Sequence, residues 1–181
     1  VVILLEKIKL NSNGVFGTDC FRNCANVTTL ELADDVRLSD ATREILSGLR
    51  KLSNFIVTEN NTAYRTPTDL HCLLMTTDAE NDTVVLGGSG AAVPAGVTQI
   101  LDWAWGSRAA SNLYVPSSVI KVAANSFQCD AICTDAAAKP AGWLTTVPVY
   151  TNAQLVTFVA EGGHENLDYI YNKNGVMVYP E

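Results

Sequence analysis

The chain has 181 residues, 48% of them hydrophobic and only 17% charged, a balance that excludes disorder and allows one core burying roughly 70% of the unfolded surface. Asp and Glu total 19 against 12 Lys and Arg, a formal net charge of -7; with no basic patch visible, a nucleic-acid partner is not expected. No apolar run approaches the ~20 residues of a membrane-crossing helix, so membrane insertion is not expected either.

The opening run Val1 to Leu5 is too short for a signal peptide and ends at the charged Glu6 and Lys7. A chain that begins with Val reads as a processed product or an excised piece. Asn26-Val27-Thr28, Asn60-Asn61-Thr62 and Asn81-Asp82-Thr83 match the glycosylation triplet, a pattern short enough to arise by chance and carrying almost no weight.

An internal repeat is the informative signal. Phe21, Cys24, Val27, Leu30 and Leu32 have the same spacing as Leu46, Leu49, Leu52, Phe55 and Val57, at a constant offset of 25 residues. Apolar positions three apart suit one side of tight helical turns, and positions two apart suit one face of a strand, so each unit reads as a turn followed by a short strand. Such a unit buries its apolar edge only by stacking on another. Within the second unit, Ser39 or Asp40 is a helix cap, and a helix is expected over roughly residues 41–51 with Ile45, Leu46 and Leu49 on one side.

Further along, Leu70 to Met75 and Thr83 to Leu86 read as two strands of a hairpin, joined by the polar stretch Asp78 to Asp82. A second pair of units follows. Val93, Pro94, Val97, Ile100 and Trp105 recur as Val115, Pro116, Val119, Val122 and Phe127, at an offset of 22 residues. Leu113 and Val115 supply inward strand positions like those of Leu30 and Leu32. Asp135 to Lys139 forms at most a short helix before Pro140 and Gly142. Beyond Trp143 the repeat stops, and Val147 to Tyr150, Leu155 to Val159, Leu167 to Tyr171 and Val176 to Tyr179 read as strands, with Asn174-Gly175 as a two-residue hairpin turn.

The units Cys20-Phe21-Arg22-Asn23-Cys24-Ala25-Asn26-Val27, Val93-Pro94-Ala95-Gly96-Val97-Thr98-Gln99-Ile100 and Val115-Pro116-Ser117-Ser118-Val119-Ile120-Lys121-Val122 resemble the BspA-type leucine-rich repeat family, from about Leu5 to about Cys133. Asn60-Asn61-Thr62-Ala63-Tyr64 resembles the lead-in to the hairpin inserted in such proteins, although Leu70 stands where the family commonly has Gly. The expected fold class is therefore α/β, strand-rich: a leucine-rich-repeat solenoid of stacked turn-strand coils over residues 1–143, with an inserted hairpin at about 58–92. Residues 144–181 form a β-rich C-terminal cap or a docking arm, since a solenoid end must be closed and Tyr169, Tyr171 and Tyr179 suit a protein interface. Oligomerisation through this segment is the consequence of the arm.

Chemistry-bearing residues read mostly as structural. Five cysteines leave at least one outside any internal pairing. Cys20, Cys24, Cys129 and Cys133, with Cys72, His71 and His164, are the soft-metal inventory, but neither Cys pair has two-residue spacing and Cys24 aligns with Leu49. His164-Glu165 offers a general base without a nucleophile motif. Asp34-Asp35 reads as turn residues, and Gly87-Gly88-Ser89-Gly90 as a loop without the Lys of a phosphate site. No cofactor is expected.

The partner-binding candidates are the strand residues that alternate with the inward ones: Thr29 and Glu31, Asn54 and Ile56, Asn112 and Tyr114, expected side by side across adjacent coils. Trp103 joins them as an exposed ring, whereas Trp105 holds a repeat position and belongs in the core. What the resemblance implies is non-enzymatic attachment work on a protein partner or within a larger assembly, at an extracellular position, a cell surface or a virion. A glycan-binding module using Trp103 and Tyr114 is the alternative, and hydrolysis would need a second carboxylate beside Glu31.

Overall fold

The computed structural model describes residues 5–17, 20–21, 23–67, 71–76, 83–109, 112–151, 170–171 and 177–179. In chain order these form β1 (Lys7–Leu10), β2 (Thr29–Leu32), α1 (Asp40–Ser47), β3 (Asn54–Val57), β4 (Tyr64–Arg65), β5 (Cys72–Met75) and β6 (Thr83–Gly87). There follow β7 (Gln99–Ile100), β8 (Asn112–Tyr114), β9 (Lys121–Val122), β10 (Ala131–Thr134), β11 (Val149–Thr151), β12 (Ile170–Tyr171) and β13 (Met177–Tyr179).

Apolar positions three apart become successive tight turns. Cys24 N–H donates to Phe21 O and Val27 N–H to Cys24 O, and one unit later Leu49 N–H donates to Leu46 O and Leu52 N–H to Leu49 O. In the second set, Val97 N–H to Pro94 O and Ala104 N–H to Leu101 O recur as Val119 N–H to Pro116 O and Ser126 N–H to Ala123 O. The strands then pair in parallel at the offsets of the repeat: Thr29 opposite Asn54 and Leu30 opposite Phe55, then Gln99 opposite Lys121 and Ile100 opposite Val122. The chain is a strand-rich solenoid of stacked turn-strand coils, about five turns in all. Leu30, Leu32, Leu46, Leu52, Ile100, Trp105 and Val122 are buried to within 2%, and the Trp105 and Phe127 rings, one coil apart, lie 5.5 Å centroid to centroid.

The described strands form four sheets rather than one. β1-β2-β3 is parallel throughout, as is β8-β10-β11, while β4-β5-β6-β7-β9 begins antiparallel and continues in parallel. The expected hairpin is β5 with β6; its Leu70 and its polar connection at 78–82 lie outside the described residues. The hairpin is a central wall rather than a surface insertion. Leu73, Val85 and Leu86 belong to the apolar cluster of the first coils, and Cys72, Leu74 and Val84 to that of the later ones. Burial on both faces is why Cys-Leu-Leu-Met and Thr-Val-Val-Leu-Gly are nearly continuous apolar runs.

Several local expectations change. β1 adds a coil before the first repeat unit, with Ile8 and Leu10 inward and Lys7 paired opposite Thr29. Helix α1 stops at Ser47 instead of running to 51, because Gly48 caps it with its N–H on Ile45 O while Leu49 N–H takes Leu46 O, and the tight turns at Leu49 and Leu52 resume. Ser39 is the N-cap, its hydroxyl accepting from Thr42 N–H. Ile45 is half-buried, not core. Residues 135–138 are bends without a helix, and Asp34-Asp35 is a turn. β11 covers the end of the 147–150 strand, and β12 pairs antiparallel with β13, Ile170 opposite Tyr179. Asn174-Gly175 lies outside the described residues together with Leu155 to Val159.

Two buried arginines tie the halves together. Arg108 is 3% exposed and donates to Leu46 O at 2.7 Å, to Gly87 O at 2.8 Å and to Ala104 O at 2.8 Å, one carbonyl each from the helix coil, the hairpin and the later coils. Burial lowers its pKa to about 10, which still leaves it charged at neutral pH. Arg43 on α1 donates to Asp102 O and Leu38 O and pairs with Asp40. Arg108→Met leaves three carbonyls without this donor and is expected to cost about 3 kcal/mol or more in denaturant unfolding.

Gly87 is the last residue of β6, opposite Cys72, rather than part of a loop, and it and Gly88 have a packing role. A Cβ on Gly87 would stand 2.0 Å from the Trp105 ring, and one on Gly88 would stand 2.7 Å from His71 O. Gly90 has φ of +74° with open space around it. Gly87→Ala is therefore expected to destabilise by about 3 kcal/mol through overpacking, and Gly90→Ala by only about 1 kcal/mol; equal losses in urea titrations would contradict this assignment.

Candidate binding surfaces

On β1-β2-β3 the register brings Lys7, Thr29 and Asn54 into one row and Lys9, Glu31 and Ile56 into the next. Alternation along each strand puts these side chains outward while Ile8, Leu10, Leu30, Leu32 and Phe55 go to the core. Glu31 is the centre of the face: Lys7 pairs with one carboxylate oxygen and Lys9 with the other at 2.6 Å. The Lys7 ammonium, then that of Lys9, holds the Glu31 carboxyl below the usual range. Each lysine side chain is 50% exposed, whereas that of Glu31 is 14% exposed, so the lysines are the outermost charged groups of this face. Ile56 is 39% exposed at the far end of the row. Beyond it Asp34 accepts from the Thr58 hydroxyl and from Asn60 Nδ2, which lowers its pKa.

Asn112 and Tyr114 are not in this sheet. They lie on β8, opposite Ala131 and Cys133 of β10, because the hairpin wall interrupts the front between the first and later coils. The Asn112 side chain lies outside the described residues. Tyr114 is half-buried, and its hydroxyl donates to Asp135 Oδ1 at 2.9 Å. Asp135 also accepts from Ser117 N–H at 2.8 Å and from the Ser117 hydroxyl at 3.0 Å. Partial burial acts to raise the Asp135 pKa, but the Ser117 N–H and the two hydroxyls outweigh it and the net shift is downward. For Tyr114 burial, then the Asp135 carboxylate, pushes the phenol upward. The carboxylate thus staples the end of β10 to the segment after β8.

Trp103 sits in the turn after β7, half-buried, with φ of 63° and its N–H donating to Asn125 O. The structure places it apart from both sheets as an element, and Trp105 in the core as expected. Tyr169 lies outside the described residues, as do His164, Glu165 and the side chains of Tyr171 and Tyr179. β12 comes within 8 Å of β8, Cα to Cα.

No disulfide joins cysteines among the described residues, and no three His, Cys, Asp or Glu side chains gather there as a metal site. Burial pushes the Cys72 thiol up to about 12, and burial followed by Asp130 does the same for Cys129, so both are protonated at neutral pH. His71 Nδ1 lies 2.9 Å from Ser53 O. A groove of about 750 Å³ runs between Phe16, Phe21 and Cys24 on one side and Ala41, Glu44 and Ile45 of α1 on the other.

Lys7 and Lys9 were not among the sequence candidates, although the alternation Lys7-Ile8-Lys9-Leu10 is a strand signal. Asp135 carried no signal at all, since it acts across coils. No helix among the described residues is long and apolar enough to cross a membrane. No family model, curated protein or solved structure matches the chain.

The Asp135 staple gives a pH-dependent prediction. A carboxyl with a depressed folded pKa contributes stability above its unfolded value, about 4, and loses that contribution as pH falls through the folded value. Asp135→Ala is expected to unfold about 1 kcal/mol more easily at pH 7. The gap from the parent narrows below about pH 4, and a constant gap from pH 7 to pH 3 would contradict the assignment.

Proposed function

We propose that the chain is a non-enzymatic interaction or structural module that performs attachment, with the in-register outer face of β1-β2-β3 as its contact surface. The observation that carries this reading is the ladder itself: six outward side chains, Lys7, Thr29, Asn54, Lys9, Glu31 and Ile56, on a rigid backbone grid with apolar anchors beneath. Solenoid coils present such grids at little entropic cost, because the side chains are already ordered by their neighbours. The sequence units that resemble BspA-type leucine-rich repeats support an attachment role at a cell surface or on a virion, with a protein partner or a larger assembly as the target. Fold alone does not name a partner. The C-terminal strands β12 and β13, beside β8, serve as a cap in this reading.

A glycan-binding module is the second reading, favoured by the half-exposed Trp103 ring in its left-handed turn and by the Tyr114 hydroxyl fixed on Asp135. A glycan array probed with the parent, Trp103→Ala and Tyr114→Ala separates the two. Attachment to protein predicts no saturable sugar binding. Sugar binding lost in both variants would replace it with the glycan reading.

A further inference from the structure

The β1-β2-β3 face has a size and chemistry that narrow its partner, and the narrowing rests on the attachment reading above. Three strands at ~4.8 Å spacing and four residues each at ~3.3 Å rise give a face of roughly 200 Å². A stable globular interface needs about 800 Å² per partner, so a second copy of the chain does not fit this face as its whole interface. An extended segment of four or five residues, roughly 15 Å long, does.

Charge sets the next constraint. Residues 1–67 hold 8 of the 12 basic residues against 8 acidic ones, whereas residues 68–181 hold 4 basic and 11 acidic, so the net -7 belongs to the second part (8 − 8 = 0; 4 − 11 = -7). On the face itself two lysines share one carboxylate, leaving a charge of +1 and ammonium protons free to donate outward. Asp34, the nearest carboxylate beyond Ile56, is occupied by Thr58 and Asn60. Apolar chemistry completes it: Ile56 is 39% exposed at one corner of the face, and Leu5, two residues before Lys7 in the chain, is 46% exposed. The face carries aliphatic groups and no aromatic ring on which a sugar would stack.

We infer that this face binds a short extended acidic polypeptide segment, carboxylates on the Lys7 and Lys9 ammonium groups and an aliphatic side chain against Ile56. Glu31 acts as the positioning residue, holding both ammonium groups over one point and so removing part of the entropy cost of fixing two long side chains.

Fluorescence anisotropy of a labelled heptapeptide of alternating Glu and Leu, titrated with the intact chain at low salt, tests this. A small face with two exposed ion pairs predicts saturation with a dissociation constant on the order of 0.1 mM. Alternating Lys and Leu should not bind. Lys7→Glu with Lys9→Glu, Lys7→Gln with Lys9→Gln, and Ile56→Ser should each weaken binding about tenfold, with melting curves of the Gln pair confirming a folded chain. No saturation by about 1 mM, or binding unchanged in the Gln pair, overturns the proposal. Binding of a heparin hexasaccharide in place of the peptide, lost in the same Gln pair, overturns it in favour of an anionic glycan. Retention of attachment to cells or particles by the Gln pair removes this face from the function while leaving the attachment reading standing.

Discussion

Parallel pairing between coils of equal rise is the constraint on which the rest depends. Each coil must return its strand to the same height as the one before, since a slip of one residue would turn Leu30 and Leu32 outward and Thr29 and Glu31 into the core. The tight turns meet that demand by bringing Phe21, Cys24 and Val27, then Leu46, Leu49 and Leu52, along one side with the same hydrogen bonds. The outer face inherits its order from this inner one. Lys7 and Lys9 reach the same carboxylate because Ile8 and Leu10 are fixed beneath them.

The hairpin makes the molecule two solenoid sections instead of one. Buried on both sides, β5 and β6 give one face to the first coils and the other to the later ones, and β6 then starts the parallel run through β7 and β9. A wall of that kind leaves backbone carbonyls from three sources facing one interior point. Arg108 meets all three, and its forked donors suit carbonyls better than a single ammonium would. Gly87 lets the Trp105 ring reach the same wall.

Much of this was legible in the residues. Offsets of 25 and 22 are the registers of β2 with β3 and of β7 with β9, because apolar periodicity reports directly which side chains face inward. Trp105 was placed in the core for the same reason. The end of α1 was misjudged since Leu49 continues the apolar pattern past Gly48, and a turn and a helix place it on the same side. Sheets β1-β2-β3 and β8-β10-β11 are separate where alternation suggests one face, because periodicity describes each coil and not the break between coils. Arg108 and Asp135 leave no trace, as their partners are backbone groups or side chains of another coil, and the same holds for the Arg43 bonds to Asp102 O and Leu38 O. The outer face is legible only in part: Glu31 and Ile56 fall on the outward positions of the repeat, but Lys7 and Lys9 precede its first quoted unit.

Interstrand nuclear Overhauser contacts in the isotopically labelled chain test the stacking most directly. The account predicts backbone contacts joining Thr29 to Asn54 and Leu30 to Phe55, and others joining Gln99 to Lys121 and Ile100 to Val122. Contacts at any other offset, or antiparallel patterns between these segments, would contradict it.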